Sequence, residues 1–133
     1  MKLRNKIFVF GSNLSGIHGA GAANTALRER GAQWGIGEGL TGTAYALPTK
    51  GLNISFMSID EVRLHIQTFA KFAYENPGAH FQVTQVGCGL GGFTKEEIAP
   101  LFVHCAHEES NCYFDTAWKP LLPDTAKFWG TFP

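Results

Sequence analysis

Two glycine-rich segments contain the residues of this chain that could bind a charged ligand. The first spans residues 11–21 and the second residues 87–93, and together they hold eight of the 16 glycines. Neither segment contains Lys, Arg, Asp or Glu. Glycine lets backbone N–H groups approach a ligand closely, and a helix N-terminus behind such a segment adds partial positive charge and unpaired donors. The pattern predicts that backbone N–H groups bind an elongated ligand carrying a diphosphate.

Four side chains in or near these segments could take part in chemistry. Asn13 either contacts the ligand or stabilises its own turn, as Asn often does. His18 is either a solvated loop residue or a group that contacts phosphate or acts as a general acid. Glu38 is the one carboxylate in the loop 31–42, and it is either solvated or positioned to activate a water. Lys50 is either an exposed residue at a strand end or a nucleophile, which would require a lowered pKa.

The spacing of histidines and cysteines predicts no metal site. His104 and His107 are three residues apart on a predicted helix, but no second pair of ligands accompanies them. Cys88, Cys105 and Cys112 show no CxxC spacing and are interpreted as free thiols in a reducing compartment. Cys88 is interpreted as a small packing residue. We therefore predict neither a metal nor a cofactor.

Each glycine-rich segment joins a predicted strand to a predicted helix. The apolar run 7–10 is typical of a strand buried on both faces, and a helix over 22–30 follows, with Gly31 as its stop. A strand over 81–86 precedes the second segment. The helix behind that segment begins near Thr94, where Thr94 and Glu97 form a capping box.

The other elements follow from local signals. Residues 43–47 predict a strand ended by Pro48, and Ser58 with Glu61 predicts a capped helix that ends near residue 76. The loop 31–42 is too rich in glycine for a regular element, and residues 111–114 predict a last strand. The tail from about residue 115 is left without an assignment.

Strands that alternate with helices predict a three-layer α/β/α sandwich with a mixed, largely parallel sheet. Ligands of such sheets bind at the carboxyl ends of the strands. Both glycine-rich segments leave strands at that end, so we expect them to face one cleft. At 133 residues the chain is interpreted as a single domain, 1–133.

Composition limits the classes of partner. The formal net charge is zero, which argues against nucleic acid as the main partner, because binding to a phosphate backbone favours a basic surface. The basic segment 1–6 precedes an apolar run of only four residues, so neither a signal peptide nor a membrane span is predicted. We interpret the protein as cytoplasmic, and the sequence leaves its oligomeric state open.

These motifs resemble those of the macrodomain, a module that binds ADP-ribose. Residues 11–13, followed by 19–21 and a helix, resemble the strand, asparagine, glycine-rich turn and helix of that family. Residues 87–92 resemble the phosphate loop of the branch that includes terminal ADP-ribose glycohydrolases of proteins, in which a GCGL motif follows a strand. Residues 45–50 are similar to that branch's strand ending in Thr-Lys. The resemblance covers about residues 6–105.

The resemblance implies roles for particular positions. Asn13 would face the distal ribose, and Lys50 would take the place of a lysine that attacks the anomeric carbon. Glu38 or His18 would orient a water. Phe93 and Phe114 are either aromatic residues that pack in the core or tail, or rings that stack on adenine. The ligand-binding residues implied by the motifs and their context are Gly11, Ser12, Asn13, Gly19, Ala20, Gly21, Gly87, Cys88, Gly89, Leu90, Gly91, Gly92 and Phe93.

The resemblance implies a protein that binds ADP-ribose or a related nucleotide, with ADP-ribosylated molecules as partners, and that hydrolyses an ADP-ribosyl linkage or a terminal phosphate ester. One departure bears on hydrolysis: where that branch has an acid after GCGL, this chain has Gly91. A non-catalytic reader of ADP-ribose is therefore the alternative. A different nucleotide-binding enzyme on a doubly wound sheet is a further alternative, for which Glu38 is the one candidate ribose ligand.

Overall fold

The structure is a computed structural model that describes residues 6–133, so the basic segment before Lys6 lies outside the described residues. It contains one mixed six-stranded sheet in the order β2-β3-β1-β4-β5-β6, in which only β2 and β3 pair antiparallel. The strands are β1 Lys6–Asn13, β2 Gly39–Thr41, β3 Ala44–Lys50, β4 His80–Val83, β5 Cys112–Asp115 and β6 Lys127–Gly130.

Helices cover both faces of this sheet. Helix α1 spans Gly21–Glu29, α2 spans Ile59–Glu75 and α3 spans Lys95–Ile98. Short 3₁₀ helices occupy Leu52–Ile54, Gly89–Gly91, Ala99–Cys105 and Thr116–Leu121. The predicted three-layer α/β/α sandwich with a largely parallel sheet is confirmed.

Alternation along the strands divides the core between the two faces. Ile7 and Val9 of β1 belong to the larger cluster, which α2 covers with Val62, Ile66 and Phe69. Phe8 and Phe10 belong to a smaller cluster, which α1 covers with Ala26. The predicted burial of residues 7–10 on both faces is thus confirmed.

The predicted helix starts are also confirmed where a capping box marks them. The Ser58 hydroxyl accepts from the backbone N–H of Glu61 at 3.2 Å, and the Thr94 hydroxyl accepts from the backbone N–H of Glu97 at 3.2 Å. In both boxes the glutamate accepts in return from the backbone N–H of the capping residue. Helix α2 ends at Glu75, as predicted.

Two predictions next to β3 are wrong. The loop 31–42 contains a regular element after all, because Gly39–Thr41 pairs with β3 as an edge strand. Strand β3 continues through Pro48 to Lys50. Strand β2 pairs no further along β3 than Ala46, so the missing N–H of Pro48 removes no ladder hydrogen bond on that side.

Three predictions in the second half also need correction. Strand β4 ends at Val83 because the chain turns there, with the Val86 N–H donating to the Thr84 carbonyl at 2.7 Å. The helix after Thr94 becomes 3₁₀ from Ala99, and Pro100 at its start lacks the N–H that an α-helix would need. The tail holds a 3₁₀ helix and β6, so β5 is not the last strand.

Among residues 6–133, no helix has both the length and the apolar character that crossing a bilayer requires.

Candidate functional site

Both glycine-rich segments line one cleft of about 500 Å³ at the carboxyl ends of β1, β3 and β4. This volume lies within the range of about 300–1,000 Å³ that is common for small-molecule sites. The predicted binding residues that line it from the first segment are Gly11, Ser12, Asn13, Gly19, Ala20 and Gly21. Those from the second segment are Gly87, Cys88, Gly89, Leu90 and Gly91.

Asn13 fixes the shape of the first segment. Its side-chain oxygen accepts from the backbone N–H of Ile17 at 3.0 Å, and its amide nitrogen donates to the Ile17 carbonyl at 2.9 Å. The residue is 7% exposed. Each amide atom therefore keeps one remaining hydrogen-bonding position, so the alternatives of turn stabilisation and ligand contact are compatible here.

The second segment is a tight turn closed by its own backbone. Gly87, Gly89 and Gly92 have φ angles of +77°, +69° and +87°, a region that only glycine adopts readily. The Phe93 N–H donates to the Gly87 carbonyl at 2.9 Å. Gly92 and Phe93 thus close the turn, and the structure does not bring them into the lining of the cleft.

The N-terminus of α1 supplies free backbone donors to the cleft. Gly21, Ala22 and Ala23 form its first turn and line the cleft. Its N-cap, Ala20, makes no side-chain hydrogen bond, and no acidic residue lies in the first turn. Helices α2 and α3 both have capping boxes. The helix that faces the cleft therefore has N–H groups that an anionic ligand could satisfy.

Charge in the cleft comes from one side chain. Among the described residues that line it, Lys50 is the only charged one, and none is a carboxylate. Lys50 ends β3, and its carbonyl accepts from the Leu14 N–H at 3.0 Å. The arrangement can hold an anion, but it offers no carboxylate to activate a water.

Thr49 is a lining residue that belonged to the Thr-Lys motif but to which the sequence gave no role. Strand β3 skips one residue against β1, because Ser12 pairs with Pro48 and Asn13 with Lys50. Such a bulge redirects a side chain. Methyl groups added at Gly11 and Gly91 would meet the Thr49 hydroxyl oxygen at 3.6 and 3.7 Å, so this hydroxyl lies beside both glycine segments.

Phe132 is the one aromatic residue among the described residues that line the cleft. Its ring packs edge-on against Phe8, with 5.7 Å between centroids. Phe114 is a packing aromatic and not a ring that could stack on a base, because it is fully buried against Phe102 and Trp118. The sequence signal for Phe132 was weak because it lies in the unassigned tail.

Both alternatives for His18 are corrected, because it is neither a solvated loop residue nor a lining residue of the cleft that could contact phosphate or donate a proton. It is 1% exposed and packs edge-on against Phe10, 5.1 Å between centroids. Its Nε2–H donates to the Ile36 carbonyl at 3.1 Å, and Nδ1 has no partner. The imidazole is therefore a packing residue beneath the first segment.

Glu38 also lies outside the cleft lining, so the structure does not place it to activate a water there. Its carboxylate oxygen is 2.7 Å from Nδ1 of His65 on α2. Its negative charge also raises the pKa of Tyr45, although burial is the larger cause. Glu38 thus belongs to the face covered by α2.

Cys88 lines the cleft with a protonated thiol. Burial and, to a smaller extent, the negative charges of Glu96 and Glu97 together raise its pKa to about 11. Its thiol donates to the Val86 carbonyl at 3.6 Å. A thiol with this pKa is a poor nucleophile near neutral pH.

Within residues 6–133, no group of three or more His, Cys, Asp or Glu residues is arranged to hold a metal ion.

Comparisons of the chain with protein-family models, with curated proteins and with solved structures found no significant match.

Proposed function

We propose that the cleft binds ADP-ribose or a related nucleotide that carries a diphosphate. The observation that carries this proposal is the meeting of both glycine-rich segments and the uncapped N-terminus of α1 at one cleft of about 500 Å³. Backbone N–H groups stabilise phosphate oxygens without a net positive charge on the protein. This explains how a chain of zero net charge could hold such an anion.

The lining residues suggest where each part of the nucleotide would lie in the cleft. The diphosphate would lie between the first turn of α1 and residues 87–91, where backbone donors gather. The distal ribose would lie towards Asn13 and Lys50. The base would lie against Phe132, because an aromatic ring offers a surface on which a base can stack.

Binding without turnover is the form of this function that the cleft supports better. Hydrolysis through Lys50 would require a proton partner, and the lining provides no carboxylate. Glu38, the acid that the sequence offered to activate a water, is hydrogen-bonded to His65 instead. A reader or sequestering protein for ADP-ribose is therefore our conclusion, and the cleavage of an ADP-ribosyl linkage is the alternative.

Isothermal titration calorimetry with ADP-ribose, ADP, AMP and NAD tests the proposal directly. We expect low-micromolar binding of ADP-ribose, weaker binding of AMP, which lacks the diphosphate, and NAD no tighter than ADP-ribose. The same protein, mixed with an ADP-ribosylated protein, should release no ADP-ribose. Release that is lost in Lys50→Ala would establish the hydrolase instead, and no heat with any nucleotide would refute nucleotide binding.

The Ala20→Asp variant separates loss of binding from loss of fold. Ala20 is exposed and has the extended conformation of an N-cap, with φ −152° and ψ 163°. Aspartate there should cap α1 and stabilise the protein by about 1 kcal/mol, while its charge competes with the ligand phosphate. We expect a higher melting temperature and at least tenfold weaker binding. Ala20→Asn, which caps without charge, is the matched control and should lose less affinity.

A further inference from the structure

A second layer of structure supports the first glycine-rich segment from below. We call residues 34–38 the buttress segment. The Gly35 N–H donates to the Gly16 carbonyl at 2.9 Å. A methyl group added at Gly37 would overlap the carbonyl groups of Asn13 and Leu14, so the two backbones are in direct contact there. The conformation of the first segment therefore depends on where the buttress segment lies.

His18 fills the space between these two layers. Its Nε2–H bond to the Ile36 carbonyl ties the first segment to the middle of the buttress segment. Its ring also packs against Trp34, with 6.5 Å between centroids. Movement of the buttress segment would thus be transmitted to residues 13–18, of which Asn13 and Ile17 line the cleft.

The buttress segment is fastened to the body of the protein by its last residue. Glu38 bonds to Nδ1 of His65 at 2.7 Å, and the two side chains are 35% and 22% exposed. His65 lies in α2, whose neighbouring residue Ile66 is fully buried in the larger core cluster. Helix α2 therefore holds the segment through this side-chain contact, next to the point where β2 begins to pair with β3.

We propose that Glu38 is a positioning residue for the cleft: its bond to His65 fixes the buttress segment and so sets the shape and the ligand affinity of the first glycine-rich segment. This inference rests on the proposed function for its ligand. It gives structural roles to Glu38 and His18, for which the sequence left open a solvated position or a part in chemistry.

Four variants test the contact. Glu38→Ala and His65→Ala each remove it, and the double variant should be no worse than either single one if both act through the same bond. Glu38→Gln retains an oxygen that accepts from His65 and should rescue most of the affinity. Asp60→Ala is the matched control, because it removes an exposed ion pair with Arg63 (2.6 Å) on the same helix, away from the buttress segment.

Two measurements separate positioning from general stability. Calorimetry with ADP-ribose should show about three- to tenfold weaker binding in Glu38→Ala and in His65→Ala, and unchanged binding in Asp60→Ala. Amide hydrogen exchange without ligand should be faster at Ile17, whose N–H bonds to Asn13, with exchange in the centre of α2 unchanged.

The outcomes distinguish this inference from the proposed function. If wild-type protein binds ADP-ribose and Glu38→Ala binds equally well, the positioning role is refuted and the proposed function stands. If wild-type protein binds no nucleotide, the proposed function fails. In that case the Ile17 exchange rate still decides whether Glu38 fixes the first segment.

Discussion

The carboxylate of Asp115 accepts the backbone N–H of Phe132 at 3.1 Å and thereby holds the C-terminal residues beside the cleft. The same oxygen accepts the Thr131 hydroxyl at 3.1 Å, and the other oxygen accepts the Ala117 N–H at 2.9 Å. Asp115 is fully buried, so these three donors are what stabilise its charge. The aromatic wall of the cleft therefore depends on one residue at the end of β5.

Replacement of Phe132 by alanine should weaken ADP-ribose binding about tenfold, because stacking of a base on an aromatic ring contributes about 1–3 kcal/mol. Phe132→Tyr retains the ring and is the matched control. Calorimetry of both variants with ADP-ribose and with ribose 5-phosphate, which has no base, checks the assignment. Equal losses for the two ligands would contradict stacking.

Replacement of Thr49 by valine should weaken ADP-ribose binding at least tenfold, since a hydrogen bond to a charged group contributes about 1.5–3 kcal/mol. The Thr49 hydroxyl has only a long contact, 3.4 Å, with the Ser12 carbonyl, so it is free to turn towards a ligand. Thr49→Ser should retain affinity. Thermal melts of the two variants, run alongside calorimetry, show whether the fold is equally intact.

Cys88 should react slowly with iodoacetamide at pH 8. With its pKa raised to about 11, only about 0.1% of the thiol is ionised at that pH, against about a quarter for an ordinary thiol of pKa about 8.5. The rate should rise about tenfold per pH unit up to pH 10 and fall when ADP-ribose is present. Mass spectrometry of the Cys88 peptide measures both, and rapid alkylation at pH 7.5 would contradict the raised pKa.

His80 should make the fold less stable in mild acid. Burial of its ring, followed by the positive charges of Lys6 and Lys127, lowers its pKa below 6.5. The unfolded chain then binds the proton more readily than the folded one, so stability is present above pH 6.5 and is lost as the pH falls below it.

The His80→Phe variant tests this linkage. Phenylalanine retains a ring against Tyr113, on which His80 stacks at 3.7 Å between centroids, and removes the unpartnered Nε2. Urea midpoints at pH 7.5 and pH 5.0 should differ less in this variant than in the wild type. His104→Phe, at an exposed position, is the control. The same pH dependence in wild type and His80→Phe would exclude His80 as its source.

Local sequence patterns determined most of the layered fold. The run 7–10 specifies a strand buried on both faces because its four apolar side chains alternate between two cores. The capping boxes at Ser58 and Thr94 specify two helix starts, because a capping box is formed by two residues only three positions apart in the sequence. The charge-free glycine segments likewise predicted where the cleft lies, since strand ends in a parallel sheet meet at one edge.

Tertiary contacts decided what no local pattern contained. Gly39–Thr41 is a strand only because β3 lies beside it, and β6 forms only against β5. Phe132 reaches the cleft because Asp115, 17 residues away, accepts its N–H.

In the site, the arrangement of the backbone follows from local sequence patterns, whereas the roles of the side chains follow from tertiary contacts. The sequence by itself determined a cleft lined by backbone donors, because glycine content and strand–loop–helix order are local properties of the chain. Only the tertiary structure decided that Lys50 and Thr49 face that cleft while His18 and Glu38 support it from behind. The physical reason is that a side chain's role depends on the nearest partner in space, which for Glu38 is His65, 27 residues away along the chain.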